Sequence, residues 1–418
     1  MSAQLEAQLR LAVATSVLLC CAAPRPAAAV EGAAESPKLY PIVEEERWGY
    51  MDASGTAVIA PQYEFAERFR EGLGPVKVGG VYGFVDAAGA LAIEPRFEIA
   101  WPFYEGRAAV RIDGRWGFVD ATGRLAVPAR FEAVLPFQEG LAPVSDGGRW
   151  GFVDADGKIV VEPRFENAGQ FSEGLALAAS GGRYGFVDRT GQWRVEPGYG
   201  VVFGVAEELA PFALDRNGPY GYLAPSGEVA IEPRFDLALS FSGGLAPVKV
   251  GEVYGYIDST GELAIQPAFA WGYGFSEGLA AVQVGDKWGY VDTTGRVVIE
   301  PRFDEAGPFE GGVARVRQDG ALAYVEPGGS VLWAQQVTKP KLDREWAMRV
   351  IAGLEKQISE MEAELQVQSA VLSPEAVGAK RAAIDRKSRT KSAVTALLAA
   401  CDRGVDDACT RLAALDQR

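Results

Sequence analysis

Residues 141–165 read LAPVSDGGRWGFVDADGKIVVEPRF, and this stretch decides the fold. Leu141–Val144 has the make-up of a strand, and Asp146-Gly147-Gly148 turns the chain back. Trp150–Asp154 forms a second strand and Asp154–Gly157 a second turn. Lys158–Phe165 then alternates, with Ile159, Val161 and Phe165 on one face and Lys158, Glu162 and Arg164 on the other. Asp opening and Gly closing a four-residue turn has a mechanism. The carboxylate accepts from the turn amides, while Gly takes the positive φ of a type I turn with a bulge. Gly151, directly after the aromatic residue, leaves room for a neighbouring backbone or ring to approach closely.

The same unit recurs along the chain. An aromatic-Gly-aromatic-aliphatic core starts at Trp48, Tyr82, Trp116, Trp150, Tyr184, Tyr220, Tyr254 and Trp288, in steps of 34 residues apart from one of 36, and a degenerate ninth copy starts at Leu322. These eight aromatic residues read as structural. The Asp-x-x-Gly turn recurs at Asp52, Asp86, Asp120, Asp188, Asp258 and Asp292. Between units runs a linker in which Phe is followed six residues later by a second Phe, as in Phe165 to Phe171-Ser-Glu-Gly-Leu175. The second Phe is expected to plug the seam between neighbouring units. One unit is too small to offset its own ordering entropy, so the units must stack.

Together, the aromatic-Gly-Phe-Val-Asp core, Asp-x-x-Gly, Glu-Pro-Arg-Phe and Phe-Ser-Glu-Gly-Leu resemble the WG (KWG) repeat of bacterial proteins. The resemblance spans about 300 residues. It implies a β-rich repeat, often in exported bacterial proteins, with no general activity and no catalytic residues to carry over.

The expected fold is an all-β tandem array of three-stranded antiparallel units over 39–335, followed by a linker at 336–342 and a small helical region at 343–418. Three strands per unit is lean for a propeller blade. The first unit has its own first strand, and the ninth ends on its third, so no strand swap closes a ring. The reading therefore favours an open superhelix over a β-propeller.

Composition narrows the function. There is no histidine among the 418 residues. That excludes Ser-His-Asp and Cys-His catalysis, His-based zinc sites and His proton shuttles. Net charge is −15, and residues 28–337 carry 25 Lys and Arg against 43 Asp and Glu. Such a body is a poor partner for nucleic acid or an anionic membrane. The recurring Asp residues read as turn caps, not metal ligands, and Asp154-Ala-Asp156-Gly157 lacks the later Glu of a calcium loop. Glu-Pro-Arg at Glu94/Arg96, Glu162/Arg164, Glu232/Arg234 and Glu300/Arg302 suggests a charge-paired ladder between units. No cofactor or metal is expected. Aromatic residues outside the template (Trp271, Tyr273, Trp101, Tyr104 and Trp193) either fill seams or present rings to a ligand; the first four are the candidate contacts.

Residues 1–29 read as an export signal, with Arg10, the apolar run Leu11–Ala23 and small residues at Ala27–Ala29. The expected location is periplasmic or secreted. Lipid anchoring at Cys20 is disfavoured by Leu19 before it, and no further segment is long enough to span a membrane. In the tail, Ile351, Leu354, Ile358, Met361, Leu365 and Leu372 fall at helical spacing, broken only by Gln368, and Ser373-Pro374 starts a second helix. A helical hairpin is favoured over a coiled coil, which would allow self-association. The segment from Cys401 to Leu412 resembles the junction of cysteine-rich Sel1-like repeats, which implies a Cys401–Cys409 disulfide. The function expected is a non-catalytic exported scaffold binding protein or glycan partners; the alternatives are a carboxylate-dependent glycan hydrolase and a passive envelope spacer.

Overall fold

The computed structural model describes residues 38–336, 344–368 and 374–402. In the copy around Trp150, Leu141–Asp146 and Arg149–Asp154 pair as a hairpin, and Ile159–Phe165 adds the third strand. Asp154 Oδ1 accepts from the amides of Asp156 and Lys158 at 3.1 and 2.9 Å, and Gly157 holds φ at +82°. A Cβ at Gly151 would lie 2.4 Å from the Val161 carbonyl oxygen. The close approach expected there is thus made by the unit's own third strand. The register between the second and third strands shifts at that point, as a bulge requires. Gly151, Phe152 and Val153 are all buried, so the second strand is covered on both faces.

The linker contributes a fourth strand. Ala133–Val134 pairs with Ser145 and Val144 on the free edge of the hairpin. Eight of the nine sheets have this four-stranded order, and only the first has three strands. Each sheet stacks face to face on the next. Phe152, Val161 and Phe165 of the fourth blade form one core with Ala168, Phe171, Ala176 and Val187 of the fifth. The exposed third strands carry Pro163 and its counterparts, which deny a full ladder to any chain approaching that edge.

The expectation of an open superhelix is wrong: the protein is a nine-bladed β-propeller, and the ninth blade packs on the first. Ile42, Val43 and Met51 share a core with Val313, Leu322 and Tyr324. The count of three strands per unit missed the linker strand, and the absence of a strand swap did not prevent closure by side chains. Position 40 shows how. Its counterparts are Gly74 and, in the other seven blades, Ala. A Cβ at Gly74 would lie 2.5 Å from the Phe69 ring, so the linker Phe occupies that space. Among the described residues blade 1 has no linker strand, and Tyr40 fills the place. Its ring lies 5.9 Å from that of Tyr324, much as Phe69 lies 5.3 Å from Tyr50. Tyr40 Oη donates to the carbonyl oxygens of Glu310 and Gly311 at 2.8 and 3.2 Å, and Tyr324 Oη donates to that of Pro41 at 2.6 Å. Arg68 of blade 2 reaches past blade 1 to Glu310 of blade 9 at 2.7 Å.

The seam carries a pH signature. Burial first, then the charges of Glu277 and Glu310, push the Tyr40 phenol up to about 12. A phenol with a raised folded pKa stabilises fully below its unfolded value near 10 and loses that contribution as pH climbs through 12. Alkaline titration followed by tyrosine absorbance should therefore show stability falling between about pH 10 and 12, and less steeply in Tyr40→Phe. Equal slopes in the two proteins would remove Tyr40 from the account.

The C-terminal unit is separate. Helix α1 (Arg344–Gln368) and helix α2 (Pro374–Asp402) run antiparallel. Ala347 packs on Val394 and Leu398, and Lys391 pairs with Glu355 at 3.5 Å. Among the described tail residues, Ile351, Leu354, Ile358 and Met361 are half-buried and Leu365 is buried, while Leu372 lies outside them. The side chain of Cys401 and all of Cys409 lie outside the described residues, as does the leader, so the disulfide and export expectations are not placed.

Candidate binding surface

The recurring carboxylates are held by turns. In the second-to-third-strand turns, Asp120 Oδ1 accepts from the Thr122 amide and hydroxyl at 3.0 and 2.6 Å and from the Arg124 amide at 3.1 Å. Asp188, Asp258 and Asp292 repeat the pattern. A second set follows the third strand: Glu98, Glu132 and Glu166 cap the amides of Gly114, Gly148 and Gly182. This accounts for much of the acidity, because a carboxylate suits a cluster of turn N–H groups. Hydrogen bonds from the neighbouring hydroxyl, then from backbone amides, hold Asp52, Asp120, Asp188 and Asp258 below their usual range, and those from Thr294, its amide and Arg296 bring Asp292 to about 2. Lowered folded pKa values give stability that is present above about pH 4 and lost as pH falls toward 2. Acid unfolding of Thr294→Val, followed by circular dichroism, should begin at higher pH than in the parent. An unchanged midpoint would mean the cap contributes nothing.

The Glu-Pro-Arg motif does not form the expected charge ladder; among the described residues no ion pair joins these Glu and Arg side chains. Instead Arg96, Arg164, Arg234 and Arg302 donate to the carbonyl oxygens of Gly123, Gly191, Gly261 and Gly329 in the next blade, at 2.5–2.6 Å. Each guanidinium also lies about 5 Å over the Phe that follows it. The planar group is held by stacking while its N–H bridges the seam, leaving Glu in water.

Of the repeat aromatics, Trp48, Tyr82, Trp116, Trp150, Tyr184, Tyr220 and Trp288 are half-buried and Tyr254 is buried. The four candidate contacts fall in two places that the ring does not bring together. In blade 3, Trp101 lies 4.9 Å from Trp116, and the Arg70 guanidinium stands 4.8 Å over Tyr104. In blade 8, Trp271 and Tyr273 belong to a run of four rings. Tyr254 lies 4.7 Å from Trp271, Trp271 6.3 Å from Tyr273, and Tyr273 stacks on Trp288 at 5.0 Å and 11°. Trp271 and Tyr273 remain half-exposed, and the buried Trp271 Nε1 has no hydrogen-bond partner. Burial, then Tyr273, pushes the Tyr254 phenol up to about 12, so the run is neutral at ordinary pH. Trp193 packs edge-on against Phe165 at 5.4 Å as seam filling.

One feature escaped the sequence reading. Leu214, Val250 and Val284, at the hairpin tips of blades 6, 7 and 8, are 56, 42 and 46 % exposed. The corresponding position is also apolar in blade 2 (Val78, 39 % exposed) and blade 3 (Ile112), and is Glu44, Asp146, Ser180 and Gln318 in blades 1, 4, 5 and 9, so blades 6 to 8 form the longest apolar run. Comparing the copies at that one position would have found it. Leu214 sits in the long hairpin of the 36-residue step, whose loop is anchored by Arg183 donating to the Leu214 carbonyl at 2.5 Å.

Comparison with known proteins agrees with the repeat. The WG containing repeat matches residues 48–82, 82–116, 116–150, 150–184, 184–216, 220–254, 254–288 and 288–320. The chain belongs to the WG-repeat family. No curated protein matches it. Solved structures similar to this WG propeller include a streptogramin B lyase, 10 % identical, covering 63 % of this chain and 91 % of that one at a TM-score of 0.31. A catalytically inactive virginiamycin B lyase from Staphylococcus aureus with quinupristin is 12 % identical, covering 62 % and 97 % at 0.32. Hsv2 of Kluyvelomyces marxianus is 11 % identical, covering 57 % and 96 % at 0.35. At such scores these likenesses carry no weight for function. The family match does not extend to the helical tail, and the Sel1-like resemblance has no support beyond its own residues. Among the described residues no helix is long and apolar enough to cross a membrane, and no group of three or more acids and cysteines is placed to hold a metal ion.

Proposed function

We propose that this protein is an exported, non-catalytic scaffold whose WG propeller binds a protein or glycan partner through the aromatic run of blades 7 and 8. The observation that carries this reading is the half-exposed stack of Trp271, Tyr273 and Trp288 on Tyr254, beside the apolar hairpin tips of Val250 and Val284. Flat rings held by one another lose little entropy on binding and offer faces to sugar rings or apolar side chains. Two families of recurring acids are tied to turn amides, which favours binding over acid–base chemistry. The leader supports export, and the acidic body supports a partner other than nucleic acid.

The full chain would be tested against a glycan array and an envelope extract. The double variant Trp271→Ala/Tyr273→Ala should weaken any specific partner by about 2 kcal/mol, roughly 30-fold. Trp193→Ala, whose ring fills a seam, serves as a control for lost packing. Equal loss in the control sinks the site, and turnover abolished by a single Asp or Glu change sinks the non-catalytic reading.

A further inference from the structure

Six carboxylates of the linker turns have a common role. Glu71, Glu105, Glu139, Glu173, Glu207 and Glu277 each reach across a joint and accept from linker-turn amides of the next blade, at 2.6–3.0 Å. At four of these joints the two carboxylate oxygens take two consecutive N–H groups. The receiving residues are left-handed, as at Glu105 and Gly106 with φ of 52° and 73°. Two successive amides in that conformation form a concave nest for an anion.

At the joint between blades 7 and 8 the ladder is broken. The position that should supply the carboxylate is Gly243, at φ +67°. The turn it should cap, Glu277–Gly278, has φ of 52° and 81°, the conformation of its occupied counterparts. Both residues are exposed, and among the described residues neither amide has a protein partner. Ser242 Oγ still donates to the Phe275 carbonyl at 2.5 Å, as Ser276 Oγ does to that of Phe309 at the next joint, where the carboxylate cap is also present. Blade 2 has a comparable turn at Glu71–Gly72, but the position preceding it lies outside the described residues.

We propose that the Glu277–Gly278 turn is a vacant receptor for a carboxylate side chain, Glu or Asp, presented by a protein partner. The ligand chemistry comes from the molecule itself: the same turn holds a Glu carboxylate at the neighbouring joints. A polyanion such as nucleic acid needs clustered cations, and residues 28–337 carry 25 Lys and Arg against 43 Asp and Glu. Two amides hold one carboxylate weakly, as one contact within a larger interface. The inference rests on the binding-scaffold reading but not on the aromatic run, because the turn lies at the other end of the blade-8 linker strand from Trp271.

The test uses the full chain, with amide shifts followed by NMR as acetate replaces chloride at constant ionic strength. The Gly278 amide should move downfield and saturate, while Gly106 and Gly312, already capped, stay still. Gly243→Glu should abolish the response by filling the nest from within the fold, as Glu207 does one joint earlier. Gly243→Ala, which adds a Cβ without a carboxylate, should keep it. A Gly278 response equal to that of Gly106, persistence of the response in Gly243→Glu, or its loss in Gly243→Ala each overturns the assignment. Failure of the Trp271 variants to affect a partner would leave this outcome unchanged.

Discussion

Phe171→Ala is expected to cost about 4 kcal/mol of folding stability, more than any change at the tryptophan that gives the repeat its signature. Phe171 is fully buried and sits 4.8 Å from the ring of Phe152 in the preceding blade, with the Arg189 guanidinium 5.9 Å from its face. Removing it leaves a cavity walled by two sheets, and neither can shift without disturbing its other neighbour in a closed ring. Trp150 is half-buried, so Trp150→Ala should cost only about 1–2 kcal/mol. Urea denaturation of the two variants compares them directly. A larger loss for Trp150→Ala would mean that the blade rim, not the seam, carries the cooperativity.

Tyr40→Ala is expected to cost about 3 kcal/mol and to weaken one joint of the nine. The ring fills the place that a linker Phe takes elsewhere, and its hydroxyl holds the turn of blade 9. Its loss leaves Tyr324 Oη to Pro41 and Arg68 to Glu310 as the polar ties across the closure. Hydrogen exchange should rise first in Tyr40–Met51 and Val313–Val325. Tyr40→Phe keeps the packing and should cost about 1 kcal/mol. Uniform acceleration of exchange around all nine blades, or no loss in Tyr40→Ala, would show that the closure is not held there.

Most of a single blade was legible in the sequence. The Asp-x-x-Gly turn, the close approach at Gly151 and the seam role of the second Phe follow from local chemistry repeated often enough to be read without structure. The binding surface was legible only in part. Trp271 and Tyr273 stand out because they depart from the template. Their stacking with Tyr254 and Trp288 depends on how two blades meet. Leu214, Val250 and Val284 each resemble an ordinary strand end; a comparison of the copies marks the position, and the fold shows it to be an exposed hairpin tip. The Glu-Pro-Arg motif was misread for a similar reason. Alternation places Glu and Arg on one face, but whether Arg meets Glu or a carbonyl depends on the neighbouring blade.

The sequence by itself determined the unit, its number and its turns, because each rests on contacts within about 34 residues. Tertiary structure decided that the array closes. Closure is a contact between Tyr40 and residues 270 positions away, and it depends on the small angle between successive blades summed over the whole ring. A slight change in that angle separates a ring from a superhelix, and no single repeat records it. What the chain does record is the exception at the seam: a tyrosine where every other copy has glycine or alanine.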